Sequence, residues 1–522
     1  MRVDSNHDSP AGAQQKQRSA HLVGIGGSGM RALATVLAER GWKISGSDLQ
    51  PDAAAGLMER GVRVLVGHAS SNVPADAELL IYSDAVPADN PERLLARQRD
   101  IPERSYAQML GTVAAEFQLG GGQVMAVAGT HGKSTVTAMT AEILIRAGLD
   151  PTVVCGAAAL NGGVQEEASP SIGRSNSLPG INVTHPGASG IHSGGNCNAA
   201  QNIGETGGRH GDGKLMLVEA CEYRENFLHL RPNVAALLNV EPDHFDYYRT
   251  PAQLHEAILQ FVRQIVDDGW IMASHECGVA QKIAAAAGRR AATFGFSRAA
   301  DWRATNLEHR LGRYRFDLVR HDKKLAHVTL GVTGRHHVLN AVAAAGMARH
   351  CGVSAQQIAQ GLAAFRGLKR RLEVRGRWGG VPWVDDYAHH PTEVKAALAT
   401  VRQMFPRRRV WCVFQPHQAS RLAALLDETA ASLHNADRIA VADVYRARES
   451  AGGEGEATAA DVADLLTAGG NEVLDEHHPV AIAERLSNEL QPGDVLLTMG
   501  AGDLGKIFDE FQKRVRRNCA VA

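Results

Sequence analysis

Residues 124–148 read VMAVAGTHGKSTVTAMTAEILIRAG: an apolar run of strand length, a turn bounded by Gly129 and Gly132, and a helix-length stretch opened by Lys133, Ser134 and Thr135. A glycine turn between a buried strand and a helix points backbone N–H groups and the helix dipole at an anion. The ammonium of Lys133 suits β- and γ-phosphates, and the hydroxyl of Ser134 suits Mg²⁺. The loop is GxxGKS rather than GxxxxGK[ST], because Val127 occupies the first glycine position. Placed between strand and helix the signal is still specific, and it marks Gly129, Thr130, His131, Gly132, Lys133, Ser134 and Thr135 as an ATP site.

Upstream, HLVGI (21–25) reads as a buried strand running into GIGGSG, where Gly24, Gly26 and Gly29 have GxGxxG spacing and Gly27 and Ser28 fill the turn. A helix follows across Met30–Arg40, and Asp48 closes the next strand, WKISGSD. This geometry aims N–H groups at a pyrophosphate, yet a ligand-free turn or a nicotinamide dehydrogenase would show the same spacing. VRVLVG (62–67) and ELLIYS (78–83) continue the alternation of a doubly wound parallel sheet. The expectation is an α/β, Rossmann-like domain over 20–117, preceded by a polar, disordered arm at 1–19 without the apolar segment of a secretion signal.

Downstream, Glu219 in VEACEYRENF and His244 in NVEPDHFDYY each end a strand-like run, where parallel sheets place functional groups. Glu219 with Ser134 makes a natural Mg²⁺ pair, whereas histidine is a less usual Mg²⁺ ligand. Glu222, Asp243 and Asp246 read equally well as solvated or capping carboxylates. Residues 161–213 are glycine-rich and contain no Phe, Trp or Tyr, so they read as an insertion or mobile loop with little to bury. The central domain is expected over 118–368. VPWVDD, RRVWCVFQ, RIAVADV and DVLLTMG then describe a third α/β unit over 369–522 that ends in a basic helix.

Composition sets the outer limits. The 522 residues are too many for one small core. Lys+Arg total 55 and Asp+Glu 56, a net charge of -1, which supplies no global field for nucleic acid or an anionic membrane. No apolar run approaches the roughly 18 residues of a membrane span. The 7 cysteines are scattered with no CxxC pair, as expected for reduced thiols in the cytoplasm.

GIGGSGM with SGSD, GTHGKST, VEACEY, NVEPDHFDYY, GRHHVLNAVAAAG, FRGLKRRLE, DDYAHHPTE, QPHQASR and MGAGD, in this order between residues 21 and 505, closely resemble the Mur ligases. DDYAHHPTE and QPHQASR look like the branch that joins L-alanine to UDP-N-acetylmuramate. The resemblance implies an ATP-dependent, amide-forming enzyme of peptidoglycan synthesis with UDP-binding, ATPase-like and C-terminal Rossmann-like domains, using ATP and two Mg²⁺. By the same resemblance Lys133 and Ser134 meet phosphate and Mg²⁺, Glu219 is a metal ligand, and His244 is associated with the second ion. Asn340 is implied near the adenine, Arg371 at the phosphates and Asp386 at the ribose. Gly24 to Gly29, Ser47, Asp48 and His68 fall on the UDP-sugar side, and His390 and Arg421 on the amino-acid side. Three positions depart from the family pattern: His337 and Gln418 stand where asparagine and arginine are usual, and Ala388 where glycine is. No lysine lies between Lys214 and Lys282, so the carbamoylated lysine of other branches has no counterpart there.

The implied chemistry is activation of a carboxylate by ATP, followed by amine attack, with His390 the candidate general base. Because Arg371 and Asp386 belong to a different domain from Lys133, an open unliganded enzyme that closes on substrate is expected. Two rivals are a recycling ligase that attaches a preformed tripeptide to the same nucleotide sugar, and a non-catalytic nucleotide-binding regulator on the same fold.

Overall fold

Parallel strands bring their C-terminal ends, and the turns that follow them, to one edge of a sheet. The computed structural model, which describes residues 17–50, 54–160, 203–310, 312–447, 449 and 456–521, repeats this device in three sheets. The first has five parallel strands in the order Arg63–Val66, Lys43–Asp48, Ser19–Val23, Leu79–Tyr82, Glu103–Ser105. The strand order reverses beside Ser19–Val23, and the GIGGSG turn leaves the sheet there. The helix after it, Ser28–Glu39, buries Met30, Leu33, Val36 and Leu37.

The central sheet has 10 strands. Gln123–Ala128 lies between Leu215–Glu219 and Val234–Leu237, all parallel, so the phosphate loop, Glu219 and the NVEPDH loop emerge side by side. Helix Lys133–Arg146 is buried on nearly every face, against the sheet and against helix Arg335–His350. Its sequence accordingly lacks a polar stripe. Trp302–Arg310, Arg313–Arg320 and Lys323–Thr329 form an antiparallel meander at one edge, with Phe316, Leu318 and Val328 buried among charged neighbours. The third sheet is Glu373–Trp378, Val381–Asp386, Val495–Met499, Val410–Phe414, Arg438–Val441, parallel except for the first pair.

Several expectations change. Residues 17–19, assigned to the arm, are ordered: Arg18 O accepts from Lys43 N, and Ser19 begins a strand. The rest of the arm lies outside the described residues. Of the glycine-rich stretch, 161–202 also lies outside them, but 203–213 packs. Ile203 and Thr206 are buried, and Gly208–Arg209 pairs with Thr152–Val154. A Cβ on Gly208 would come within 2.1 Å of Ala32 O, so this short strand seats the first unit on the central one by close backbone approach. The meander and the strand Glu373–Trp378 were not read from the sequence.

One apolar cluster runs from the first unit into the central one, joining Leu33, Leu37 and Val113 to Val218, Phe227 and Phe261. The third unit has its own clusters, around Leu398, Phe414 and Leu497 and around Trp383, Trp411 and Phe508. It meets the central unit through polar contacts such as Arg421–Asp243, Thr392–Glu241 and His131–Glu393. Among the described residues no helix is long and apolar enough to cross a membrane.

Candidate active site

The turn after Gln123–Ala128 is shaped by glycine. Gly129 has φ +133°, and a Cβ there would come within 2.9 Å of Asn239 O and 3.0 Å of Asn239 N. Asn239 pins the loop, its Oδ1 accepting from His131 N at 2.7 Å while its amide donates to His131 O at 3.0 Å. Thr130 Oγ1 donates to Glu241 O and accepts from Glu241 N. The phosphate loop and the NVEPDH loop are thus one hydrogen-bonded unit.

Lys133 Nζ donates to Gly129 O at 2.6 Å, to Thr130 O at 3.1 Å and to Glu222 Oε1 at 3.0 Å, with Glu222 Oε2 at 2.9 Å. His244 Nε2 lies 3.3 Å from Glu222 Oε1. Burial alone would push the Glu222 carboxyl up, but Lys133 and His244 outweigh it and hold it at about 2. Burial likewise opposes the Lys133 ammonium, and the adjacent Glu222 carries it above its ordinary value instead. Ser134 Oγ donates to Glu219 Oε1 at 3.0 Å, and Glu219 Oε2 accepts from Gly156 N at 2.7 Å. A hydroxyl, two carboxylates and an imidazole around one lysine form an oxygen-rich donor set that fits Mg²⁺ beside a phosphate loop.

These groups line a cavity of about 960 Å³ reached by all three units. Ser28 and Arg31 come from the first unit, and Arg371, Arg375, His389, His417 and Arg421 from the third. Cys221 also lines it, its thiol pushed up to about 12 by burial first and by Glu222 second. His389 Nδ1 contacts Tyr387 O at 2.9 Å, which places the proton on Nδ1 and leaves Nε2 a lone pair. Burial, with Glu393 opposing, brings that ring down to about 4, so it is neutral at pH 7. Arg421 Nε donates to Asp243 Oδ1 at 2.7 Å across the unit boundary, and its NH1 donates to His417 Nδ1 at 2.9 Å. Burial opposes ionisation of Asp243, yet Arg421 holds it far below the usual carboxylate range.

A second cavity, about 230 Å³, is lined by Thr135, Phe294, His336, His337, Asn340 and Asp386. Arg371 and Gly132 border both cavities. Asn340 Nδ2 donates to His337 Nδ1 at 3.3 Å, and the His336 and His337 ring centroids are 4.0 Å apart. Burial, reinforced by Arg371, lowers both imidazoles, His336 to about 4, so this cavity presents neutral rings. Asp386 accepts from Leu372 N and Ala388 N, and burial brings it to about 6 despite Arg371.

The structure separates other residues singled out in the sequence. His390 lines neither cavity. It caps helix Pro391–Met404 by accepting from Thr392 N, and its Nε2 contacts Pro242 O at 3.2 Å. Ser47 and His68 gather instead on the buried Glu92: Ser47 Oγ donates to Glu92 Oε2 at 2.6 Å and meets His68 Nδ1 at 3.0 Å. Asp48 Oδ2 takes Gly26 N at 2.7 Å, so of the GIGGSG turn it is Ser28 that faces the large cavity. Glu222, Asp243, His389, Glu393 and His417 join the site without having been assigned to it. The doubled histidine of DDYAHHPTE was the available signal for His389, but the sequence does not say which of the pair faces inward.

Family models match three consecutive parts of the chain: Mur ligase family, catalytic domain, over 19–118; Mur ligase middle domain over 127–348; and Mur ligase, glutamate ligase domain, over 370–502. The UDP-N-acetylmuramate–L-alanine ligase of Clostridium novyi is 34% identical over 501 residues, covering 95% of this chain and 98% of that one. The chain belongs to the Mur ligase family. Its likeness to the UDP-N-acetylmuramate–L-alanine ligase of Aquifex aeolicus is 34% over 503 residues, 96% of this chain and 99% of that one. Among solved structures, this Mur ligase resembles the UDP-N-acetylmuramate–alanine ligase of Thermotoga maritima with TM-score 0.74 at 23% identity, covering 96% and 99% of the two chains. The murein peptide ligase of Psychrobacter arcticus aligns with TM-score 0.65 at 23% identity over 95% and 98%. These two likenesses establish the three-domain α/β fold.

Proposed function

We propose that this Mur ligase joins L-alanine to the lactyl carboxylate of UDP-N-acetylmuramate at the expense of ATP, the first amino-acid addition to the peptidoglycan precursor, in the cytoplasm. The observation that carries the reading is the single cavity in which the phosphate loop, paired carboxylates and basic and imidazole groups of the third unit converge. Whole-length identity to alanine-adding ligases supports it over tripeptide transfer.

A carboxylate does not condense with an amine in water until one of its oxygens is made a leaving group. In this reading the lactyl carboxylate oxygen attacks the γ-phosphorus of ATP, the bond to ADP breaks, and an acyl phosphate forms. Amine attack on the acyl carbon then expels phosphate. Ser134 and Glu219 would hold one Mg²⁺, and Glu222 with His244 a second, supplying positive charge between triphosphate and carboxylate. Lys133 moves from the carbonyl oxygens it now contacts to the phosphates, and Arg371 reaches them from the third unit at the junction of the two cavities. Asn340 and the neutral His336 and His337 receive the adenine, and Asp386 the ribose. His389 lines the cavity with its ring neutral at pH 7, and in this reading it accepts a proton from the attacking amine on Nε2, while Arg421 and His417 orient the alanine carboxylate. Gly24 to Gly29 and Arg31 meet the UDP-sugar, and Ser47, Asp48 and His68 shape that turn.

Incubation with ATP, Mg²⁺ and UDP-N-acetylmuramate plus either L-alanine or the preformed tripeptide tests the assignment. The mass of the alanyl product, with phosphate released only when both substrates are present, is expected. Product from the tripeptide alone would assign the recycling activity, and release without any amine would remove the ligase reading.

A further inference from the structure

We propose that His131, Glu241 and His390 form a binding site for one divalent transition-metal ion of tetrahedral preference, of the Zn²⁺ class, which ties the central unit to the third. His131 Nε2 lies 3.4 Å from Glu241 Oε2, and His390 Nδ1 lies 3.7 Å from that same oxygen. All three donor atoms fall within 4.8 Å of one another. A tetrahedral ion about 2.0–2.1 Å from nitrogen and oxygen ligands sets those ligands about 3.4 Å apart, so these side chains already stand near the required spacing.

The surroundings of the two imidazoles make the same case independently. Metal-bound histidines characteristically give their second ring nitrogen to a carbonyl or carboxylate, which fixes the tautomer and aims the lone pair. His390 Nε2 contacts Pro242 O at 3.2 Å, which puts the proton there and leaves a lone pair on Nδ1, 3.7 Å from Glu241 Oε2. Nδ1 has only a long 3.3 Å contact from Thr392 N, which an ion would replace. His131 Nδ1 faces Glu393 Oε1 at 3.4 Å. His131 Nε2 is buried and makes no hydrogen bond among the described residues. The side chain is 11% exposed, and its ring centroid is 4.5 Å from that of His390. Two imidazoles and a carboxylate with a fourth position open is a donor set of catalytic-type zinc sites, and one that Mg²⁺, with its preference for oxygen, does not favour.

This site is separate from the donor set around Lys133. Its ligands come from two units, His131 and Glu241 from one and His390 from the other, so a bound ion favours the joined arrangement and retards any step in which the third unit must swing away. The consequence is inhibition of turnover by Zn²⁺ at saturating Mg²⁺.

The test uses full-length protein, excess Mg²⁺ to fill oxygen-donor sites, and Co²⁺ as a spectroscopic probe. The wild type is expected to bind one Co²⁺ with the intense visible bands of tetrahedral coordination, displaced by Zn²⁺. His390→Asn, which preserves a helix-capping side chain, should lose those bands. Glu393→Gln, which changes the group facing His131 Nδ1 without removing a ligand, should weaken binding about 10- to 100-fold. His244→Gln should leave the bands in place. The proposal is overturned if the wild type shows no tetrahedral Co²⁺, if His390→Asn binds it unchanged, or if the bands disappear with His244→Gln instead.

Discussion

Lys133 and Glu222 are a buried pair, the carboxylate side chain only 3% exposed, and that burial changes what removal of the lysine does. Lys133→Ala deletes the phosphate-binding ammonium and also strands a buried charge. Losing one partner of such a pair costs about 3–5 kcal/mol. The single variant should therefore unfold at lower denaturant as well as lose ligation. Lys133→Ala/Glu222→Gln should recover most of the stability while ligation stays down about 10²–10³-fold or more, as for other preorganised donors. Paired denaturation and phosphate-release assays decide it; wild-type stability in the single variant would mean that the pair carries no such energy. Lys133, Ser134 and Glu219 were legible in the sequence because strand, turn and helix signals surround them. Glu222 and Asp243 were not, since their meaning depends on partners 89 and 178 residues away. A carboxylate with no visible partner reads as solvated.

At the level of elements, the phosphate loop is held between two others: Asn239 and Glu241 of the NVEPDH loop, and Glu393 of helix Pro391–Met404. Burial alone would lower His131, but Glu241 and Glu393 override it and raise the ring to about 9. A base whose pKa is higher folded than unfolded adds stability that is complete below the unfolded value, about 6.5, and is lost as pH climbs through the folded one. The ceiling is about 3 kcal/mol, shared with the two carboxylates rather than additional to theirs. Raising pH from 6.5 to 9.5 should thus destabilise metal-free wild type relative to His131→Gln. Melting curves that shift in parallel would show that the imidazolium does not hold these elements together. The strands carrying the loops were readable as apolar runs. The meander Trp302–Thr329 was not, because its buried positions alternate with arginine, glutamate and lysine and never form such a run. The choice between His389 and His390 was equally hidden, since it depends on where helix Pro391–Met404 starts.

Across the whole molecule, the first and central units share an apolar cluster, whereas the third meets the central one through Arg421–Asp243, Thr392–Glu241 and His131–Glu393. A polar boundary without a common core is where relative motion is expected. The first two units should move as one body and the third against them, with Arg371 completing the nucleotide site each time it returns. Arg371→Ala should accordingly weaken ATP binding and slow phosphate release, each about 10- to 150-fold, the range of one charge-assisted hydrogen bond of about 1.5–3 kcal/mol. The exposed Arg407→Ala is the control; equal values for the two variants would remove the bridging role. The central claim, that these three units together turn a carboxylate into an acyl phosphate, is tested most directly by labelling the lactyl carboxylate of UDP-N-acetylmuramate with ¹⁸O and analysing the phosphate released on ligation to L-alanine. One labelled oxygen should pass to each phosphate while the other stays in the new amide. Unlabelled phosphate, with alanyl product formed, would contradict it.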